Sequence, residues 1–215
     1  MAGDDNSPIA PTLYLARHCR TPWNQSGRLQ GSQDLNLSEA GRAQAGKIAQ
    51  GLKRYCLDRI VSSPYRRAIE TASIYAESLQ INVEVVDGLK ELNHGQWEGQ
   101  VIDELLRQPE SQYRRWLTDP VSTPIPDGEN VAAAQRRMTR ALHTIIETCP
   151  GQRVLVITHK HIRALLDCWL NRLDLNQFGK AIKESVEPDE IPSTVLRHFG
   201  ENWPDGIKGG GGFSR

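Results

Sequence analysis

Residues 13–24, LYLARHCRTPWN, decide how this chain is read. The apolar run from Leu13 to Ala16 predicts a buried strand, and Arg17, His18, Arg20, Thr21 and Asn24 follow it at once. Open α/β sheets bind ligands just outside the carboxyl ends of their strands, so a strand that empties into such a turn is a candidate site. Two guanidinium groups beside an imidazole oppose its protonation, and a neutral imidazole is a nucleophile. The same arginines draw a dianion towards it. Taken alone, the turn is equally compatible with a solvated basic loop carrying one incidental histidine.

Working outward, Ser38 is placed to cap a helix that carries Ala40, Ala43, Ala45, Ile48, Ala49 and Leu52 mainly on one face and ends near Arg54. Leu57 to Val61 predicts a short strand running into Ser62, Ser63 and Pro64, and Tyr65 to Leu79 a helix with Arg67 in its first turn. Ile81 to Val86 alternates like a third strand, and Glu91 lies beyond it in DGLKELNHGQWEG, where glycines mark irregular backbone. One or two short helices broken at Pro109 are expected between Ile102 and Leu117, and a longer one over Val131 to Thr148. Arg153 to Thr158 is the most strand-like run, with His159 at its carboxyl end. Arg163 to Leu173 predicts a helix and Thr194 to Phe199 a closing edge strand.

Four strand ends therefore each deliver one ionisable residue: His18, Arg67, Glu91 and His159. Alternation of strands and helices predicts an α/β fold, a three-layer α/β/α sandwich with a mostly parallel sheet and helices on both faces. In such a sheet the carboxyl ends share one rim. The 215 residues fit one medium domain, over residues 13–203, with residues 1–12 and the glycine-rich residues 204–215 expected to be flexible.

Lys plus Arg and Asp plus Glu number 26 each, which argues against a general binder of nucleic acid or of membrane surfaces, so any anion site is local. The opening MAGDDNSPIAPT has no basic and apolar leader pattern, and no apolar run is long enough to span a bilayer. Cys19, Cys56, Cys149 and Cys168 are scattered without CxxC spacing, the usage of free thiols in a reducing compartment. A cytoplasmic protein is expected. Whether it is a monomer or a homodimer is open.

These residues, in this order, resemble the histidine phosphatase superfamily, the phosphoglycerate mutase-like fold. That family opens with Arg-His-Gly, here RHCRTPWN, and continues with Gly-Arg-x-Gln-Gly, here residues 27–31. Its Ser-Ser-Pro-x-x-Arg-Ala pattern is SSPYRRA with Arg67, its glutamate element is ELNHGQWEG with Glu91, and its second histidine ends VLVITHKH as His159. The resemblance runs from Leu13 to about Phe199. It implies that His18 takes a phosphoryl group and becomes phosphohistidine, while Arg17, Arg67 and His159 bind phosphoryl oxygens. Glu91 would be general acid and then general base, which asks for a carboxyl pKa raised by an anionic substrate or by partial burial. Thr21 and Asn24 match positions that add neutral donors, or else cap and turn the chain. No metal and no cofactor are implied, because fixed guanidinium donors supply the charge stabilisation that phosphoryl transfer needs.

The sequence also departs from the family. Cys19 replaces the glycine after the nucleophile, which implies strain if φ is positive there and a reactive thiolate if the arginines act on it; simple tolerance is the favoured expectation. Arg20 stands where an acid is common and, pointing inward, would suit a second anionic group on the substrate. Lys160 and His161 replace small residues after His159, and Arg163 arrives one residue early, so the leaving-group pocket should differ. Arg114 and Arg115 are candidates for an acidic-substrate rim or a solvated pair.

The expected function is a metal-independent phosphatase acting on a small phosphomonoester. The alternatives are a mutase-type phosphotransferase and a weakened member that binds a phospho-ligand or a protein. The short run from Gly99 to Gly128 leaves little chain for a water-excluding lid, which favours hydrolysis over transfer.

Overall fold

Strand β1 (Thr12–Arg17) and strand β4 (Arg153–Thr158) lie side by side and parallel at the centre of a five-stranded sheet. A computed structural model describes residues 9–192 of the chain. From the amino end, α1 (Pro22–Gln25) and α2 (Glu39–Gly51) follow β1, then come β2 (Arg59–Ser62), α3 (Arg66–Leu79) and β3 (Val83–Val85). The short helices α4 (Ile102–Arg107) and α5 (Gln112–Thr118) precede α6 (Val131–Thr148). After β4 come α7 (Lys160–Leu170), α8 (Phe178–Ala181) and β5 (Asp189–Ile191). The order is β3-β2-β4-β1-β5, parallel except for β5, which runs antiparallel to β1 at Leu13–Leu15.

Because β1 and β4 are covered on both faces, both their inward and outward positions are apolar. Leu13 and Leu15 of β1, with Val154 and Val156 of β4, face a core shared with α6 and α7. Tyr14, Ala16, Leu155 and Ile157 face the opposite core, with α2 and α3. The three-layer sandwich is thus built by period-two alternation in strands that lack a solvent face.

The expected elements appear in the order of the sequence reading, α1 and α8 being additions to it, and other differences follow. Helix α7 begins at Lys160, not Arg163, for a reason that lies in the site below. The edge strand is Asp189–Ile191, while the Thr194 to Phe199 expectation falls outside the described residues, as does the glycine-rich tail. At the amino end, Thr12 opens β1, and the Ile9 carbonyl accepts from the Gly151 N–H at 2.7 Å.

Candidate active site

The His18 turn is held by close backbone approaches. The His18 N–H continues the sheet ladder to the Thr158 carbonyl at 3.0 Å, which draws the ends of β1 and β4 together. Ser38 caps α2 by accepting from Gly41, and its own N–H donates to the Arg20 carbonyl at 3.0 Å. A Cβ on Gly41 would meet that carbonyl oxygen at 1.9 Å, so α2 needs glycine there to lie against the turn. Thr71 Oγ1 accepts from the Cys19 N–H at 3.0 Å and donates to the Arg67 carbonyl at 2.7 Å, tying the turn to α3.

The ring of His18 is buried, and its Nδ1 lies 2.7 Å from the Cys19 carbonyl. A carbonyl accepts only, so Nδ1 carries the hydrogen and Nε2 keeps its lone pair. Burial, then Arg67 and Arg17, hold the His18 pKa well below its ordinary 6.5, leaving the ring neutral near pH 7. The His159 ring centroid is 5.2 Å away, and burial followed by Arg67 lowers its pKa in the same way. Its Nε2 is 2.7 Å from Ser63 Oγ.

Arg67 is fully buried in the first turn of α3, its guanidinium 4.8 Å from the Tyr65 ring centroid. Nη1 donates to the Gln33 carbonyl at 2.6 Å and Nη2 to the Gly31 carbonyl at 2.8 Å. Burial lowers its pKa to about 10, still a cation near neutrality. The Gly-Arg-x-Gln-Gly stretch therefore orients an arginine: Gly31 has φ +55°, and a Cβ there would strike Glu98 Oε1 at 2.0 Å. Glu98 in turn accepts from the Ser32 and His94 N–H groups at 2.6 and 3.0 Å, clamping that stretch to the Glu91 loop. Arg17 Nε, Arg67 Nε and His159 Nδ1 are buried without a hydrogen-bond partner among the described residues.

Glu91 sits opposite. Its Oε1 accepts from the Leu92 and Ile162 N–H groups at 2.9 and 3.3 Å, and its Oε2 from the His161 N–H at 3.3 Å. The carboxylate thus rests on the amino end of α7, where free N–H groups and the helix dipole favour negative charge. This explains the early helix start: His159, at φ −130° and ψ 167°, is the N-cap, and an anion from far along the chain satisfies the first turn. His161 Nδ1 is 3.3 Å from Glu91 Oε2 and 2.9 Å from His94 Nε2, forming a buried Glu91–His161–His94 row against Trp116. Arg137, paired with Glu129 at 2.7 Å, donates to the Gly88, Lys90 and Glu91 carbonyls and fixes the loop backbone.

Of the two causes expected to raise the Glu91 pKa, burial does not prevail in the free protein: it pushes the carboxyl up, but the close approach of His161, with His159 and His94 nearby, more than offsets it, and the pKa lies well below 4.5. Three backbone donors to one carboxylate act in the same direction. The Cys19 expectations are also settled: Cys19 has no positive φ, and its Sγ turns away towards Tyr75 Oη at 3.6 Å. Burial raises its thiol pKa, so the side chain is tolerated in the α2/α3 core and is no thiolate.

A cavity of about 640 Å³ joins Arg17, His18, Asn24, Arg67, Glu91 and Lys160. Arg20 also lines it and is exposed. Thr21 is not among the lining residues: its hydroxyl and N–H form a capping box with Asn24 at the start of α1, the capping alternative. Arg114 and Arg115 lie outside the lining too, Arg114 donating to the Leu106 carbonyl. Among the described residues no group of three or more His, Cys, Asp or Glu is arranged to hold a metal ion, and no helix is long and apolar enough to cross a membrane.

A parallel α/β sheet that gathers two neutral imidazoles, two guanidiniums and a carboxylate at one rim defines a phosphoryl-handling enzyme of the histidine type. Residues 13–185 match the family model of the histidine phosphatase superfamily, branch 1, and the chain belongs to that superfamily. Phosphoserine phosphatase 1 of Hydrogenobacter thermophilus is 35% identical over 206 residues, covering 91% of this chain and 98% of that protein. The Yersinia pestis protein named "Probable phosphoglycerate mutase GpmB" is 33% identical over 147 residues, 68% of each chain. The solved mycobacterial glucosyl-3-phosphoglycerate phosphatase in complex with VO3 superposes with a TM-score of 0.77 at 26% identity, covering 85% of this chain and 91% of that one. The protein is a phosphomonoester hydrolase of this superfamily.

Proposed function

We propose that the protein hydrolyses a small phosphomonoester through a phosphohistidine on His18. The observation that carries the proposal is the pairing of a neutral His18 ring, its Nδ1 held by the Cys19 carbonyl, with the Nε donors of Arg17 and Arg67, buried and without a partner among the described residues, on the wall of the same cavity. Buried polar groups are ordinarily hydrogen-bonded, so such donors beside a nucleophile suit an oxyanion ligand. His18 Nε2 attacks phosphorus in line, and the P–O bond to the leaving group breaks. The guanidiniums of Arg17 and Arg67 stabilise the equatorial oxygens in the role that a metal plays elsewhere, and the His159 ring, whose Nδ1 donates when Ser63 Oγ donates to its Nε2, adds a neutral donor beside them.

Glu91 delivers the proton to the leaving alkoxide. It is ionised in the free protein, but a phosphoryl dianion brought beside it raises its pKa, so the carboxyl takes up its proton together with the substrate. Once the alcohol has left, the carboxylate takes a proton from the water that attacks phosphohistidine. We place the enzyme in the cytoplasm, where buried free thiols such as Cys149 and Cys168 persist. Phosphoserine and phosphoglycerate esters, after the names of the relatives, are the first substrates to assay.

The test is phosphate release in the presence of a chelator, with trapping of an acid-labile, alkali-stable phosphoenzyme from labelled substrate. Release that persists with chelator, and a label lost together with about 10³-fold or more of the rate in His18→Ala, is the expected result. Loss of activity on chelation, or transfer to a second hydroxy acid faster than to water, would overturn it, the latter in favour of a mutase.

A further inference from the structure

We propose that Lys160 binds a carboxylate on the leaving group of the substrate, and that Glu184 occupies the position of that carboxylate in the free protein. The inference rests on the phosphatase reading, because it takes Arg17 as a donor to the phosphoryl group. Glu184 Oε2 is 2.5 Å from Arg17 Nη1, and Glu184 Oε1 is 2.9 Å from Lys160 Nζ. One carboxylate thus bridges two cations on the wall of the cavity that holds His18.

The three side chains are not equally part of that wall. Arg17 and Lys160 are 9% and 17% exposed, whereas Glu184 is 72% exposed and reaches in from the segment after α8. The cations belong to the scaffold and the anion is a visitor. Burial pushes the Glu184 carboxyl up, but Lys160 and Arg17 bring its pKa down to about 2, so the two cations hold a carboxylate well.

When a phosphoryl group draws Arg17 to itself, Glu184 loses one of its two cations and keeps only Lys160, so a carboxylate carried by the ligand competes for that ammonium with a single exposed side chain. The anion must be close to the phosphoryl group, because Arg17 and Lys160 reach oxygens of the same carboxylate. A phosphorylated short-chain acid has that spacing, and an uncharged alcohol phosphate offers nothing to Lys160. Lys160 also lines a second cavity of about 670 Å³, with Tyr113, Leu117 and Ile182, so a larger leaving group has room beyond the ammonium.

The experiment uses matched pairs that differ in the carboxylate: phosphoserine with phosphoethanolamine, and 3-phosphoglycerate with glycerol 3-phosphate. The intact chain should prefer the acid of each pair by about tenfold or more in kcat/KM, as one charge-assisted hydrogen bond allows. Lys160→Met and Lys160→Gln should abolish that preference, lowering kcat/KM about tenfold more for the acid of each pair than for the partner that lacks the carboxylate, with circular dichroism and thermal unfolding like the parent's showing that the variants fold. Glu184→Gln should lower KM for both members of a pair by removing the internal competitor. Equal loss on both members would assign Lys160 to the phosphoryl group instead, and an unchanged preference would leave it no role; either result overturns the inference. If the parent hydrolyses no ester, the phosphatase reading fails separately. Calorimetric titration of the same pairs then still decides whether the acid binds more tightly and whether Lys160→Met removes the difference.

Discussion

The two sides of the cavity solve opposite electrostatic problems. Around His18, Arg17 and Arg67 gather positive charge, and the imidazoles are kept neutral by it and by burial. Around Glu91, backbone donors of α7 and the His161 ring gather on a buried carboxylate and keep it ionised. The first side therefore waits for an anion, and the second waits for a proton. A phosphate ester supplies the first directly and the second by its own charge, so the two sides act as one only in its presence.

That comparison can be broken most sharply at Glu91. Glu91→Gln keeps the shape but cannot deliver a proton, so hydrolysis of alkyl phosphates should fall by about 10² to 10⁴-fold, and much less for p-nitrophenyl phosphate, whose leaving group needs no acid. Vanadate or phosphate binding should be retained. Equal loss on both kinds of ester, together with lost anion binding, would place Glu91 on the binding side instead.

His161 tests how the carboxylate is tuned. Replacing His161 with Leu takes away the polar ring atom 3.3 Å from Glu91 Oε2, so the Glu91 pKa should rise and the basic limb of the rate profile on alkyl phosphates should move up by about one to two pH units. Asn offers a donor near the same place and should restore the parent profile. A lower rate with an unmoved profile in both variants would mean that His161 only fills space beside Trp116.

The smallest effect concerns stability, and it sharpens the contrast because each side contributes two imidazoles. The pKa values of His18, His159, His94 and His161 are all lowered from 6.5, first by burial. Between those values and 6.5 the unfolded chain binds more protons than the folded one, so stability present above pH 6.5 is lost as pH falls. Each histidine contributes at most about 1.4 kcal/mol per pH unit below 6.5. Glu91, with its pKa depressed below 4.5, adds to the loss in the same direction at lower pH. Urea unfolding at pH 7.5 and 5.5 should register the loss, with a shallower slope in His161→Asn; equal stability at both pH values would contradict neutral burial.

Much of the fold and half of the site were legible in the chain alone. Apolar runs bounded by polar turns located β1 and β4, Ser38 announced α2, and the run from Val131 to Thr148 announced α6, whose Asn130 cap only the structure showed. His18, Arg67 and His159 could be chosen because each follows a strand, and strand ends meet in a parallel sheet. Thr21 was ambiguous because one hydroxyl suits a cap and a phosphate equally, and only the capping box with Asn24 decided its place.

What the sequence by itself determined was the set of groups brought to one rim, since backbone periodicity dictates topology and topology dictates which strand ends meet. What only the tertiary structure decided was the state of those groups. Glu91 could be picked out with the other strand-end residues, but its ionised state shows only once the first turn of α7 closes on it, and His94 and His161 stand 67 residues apart yet share a hydrogen bond. The early start of α7 and the depressed carboxyl belong to the same contact. Charge interactions depend on distance and burial, which neighbours in sequence do not encode, so a residue's chemistry was settled only where chain segments remote from one another came to touch.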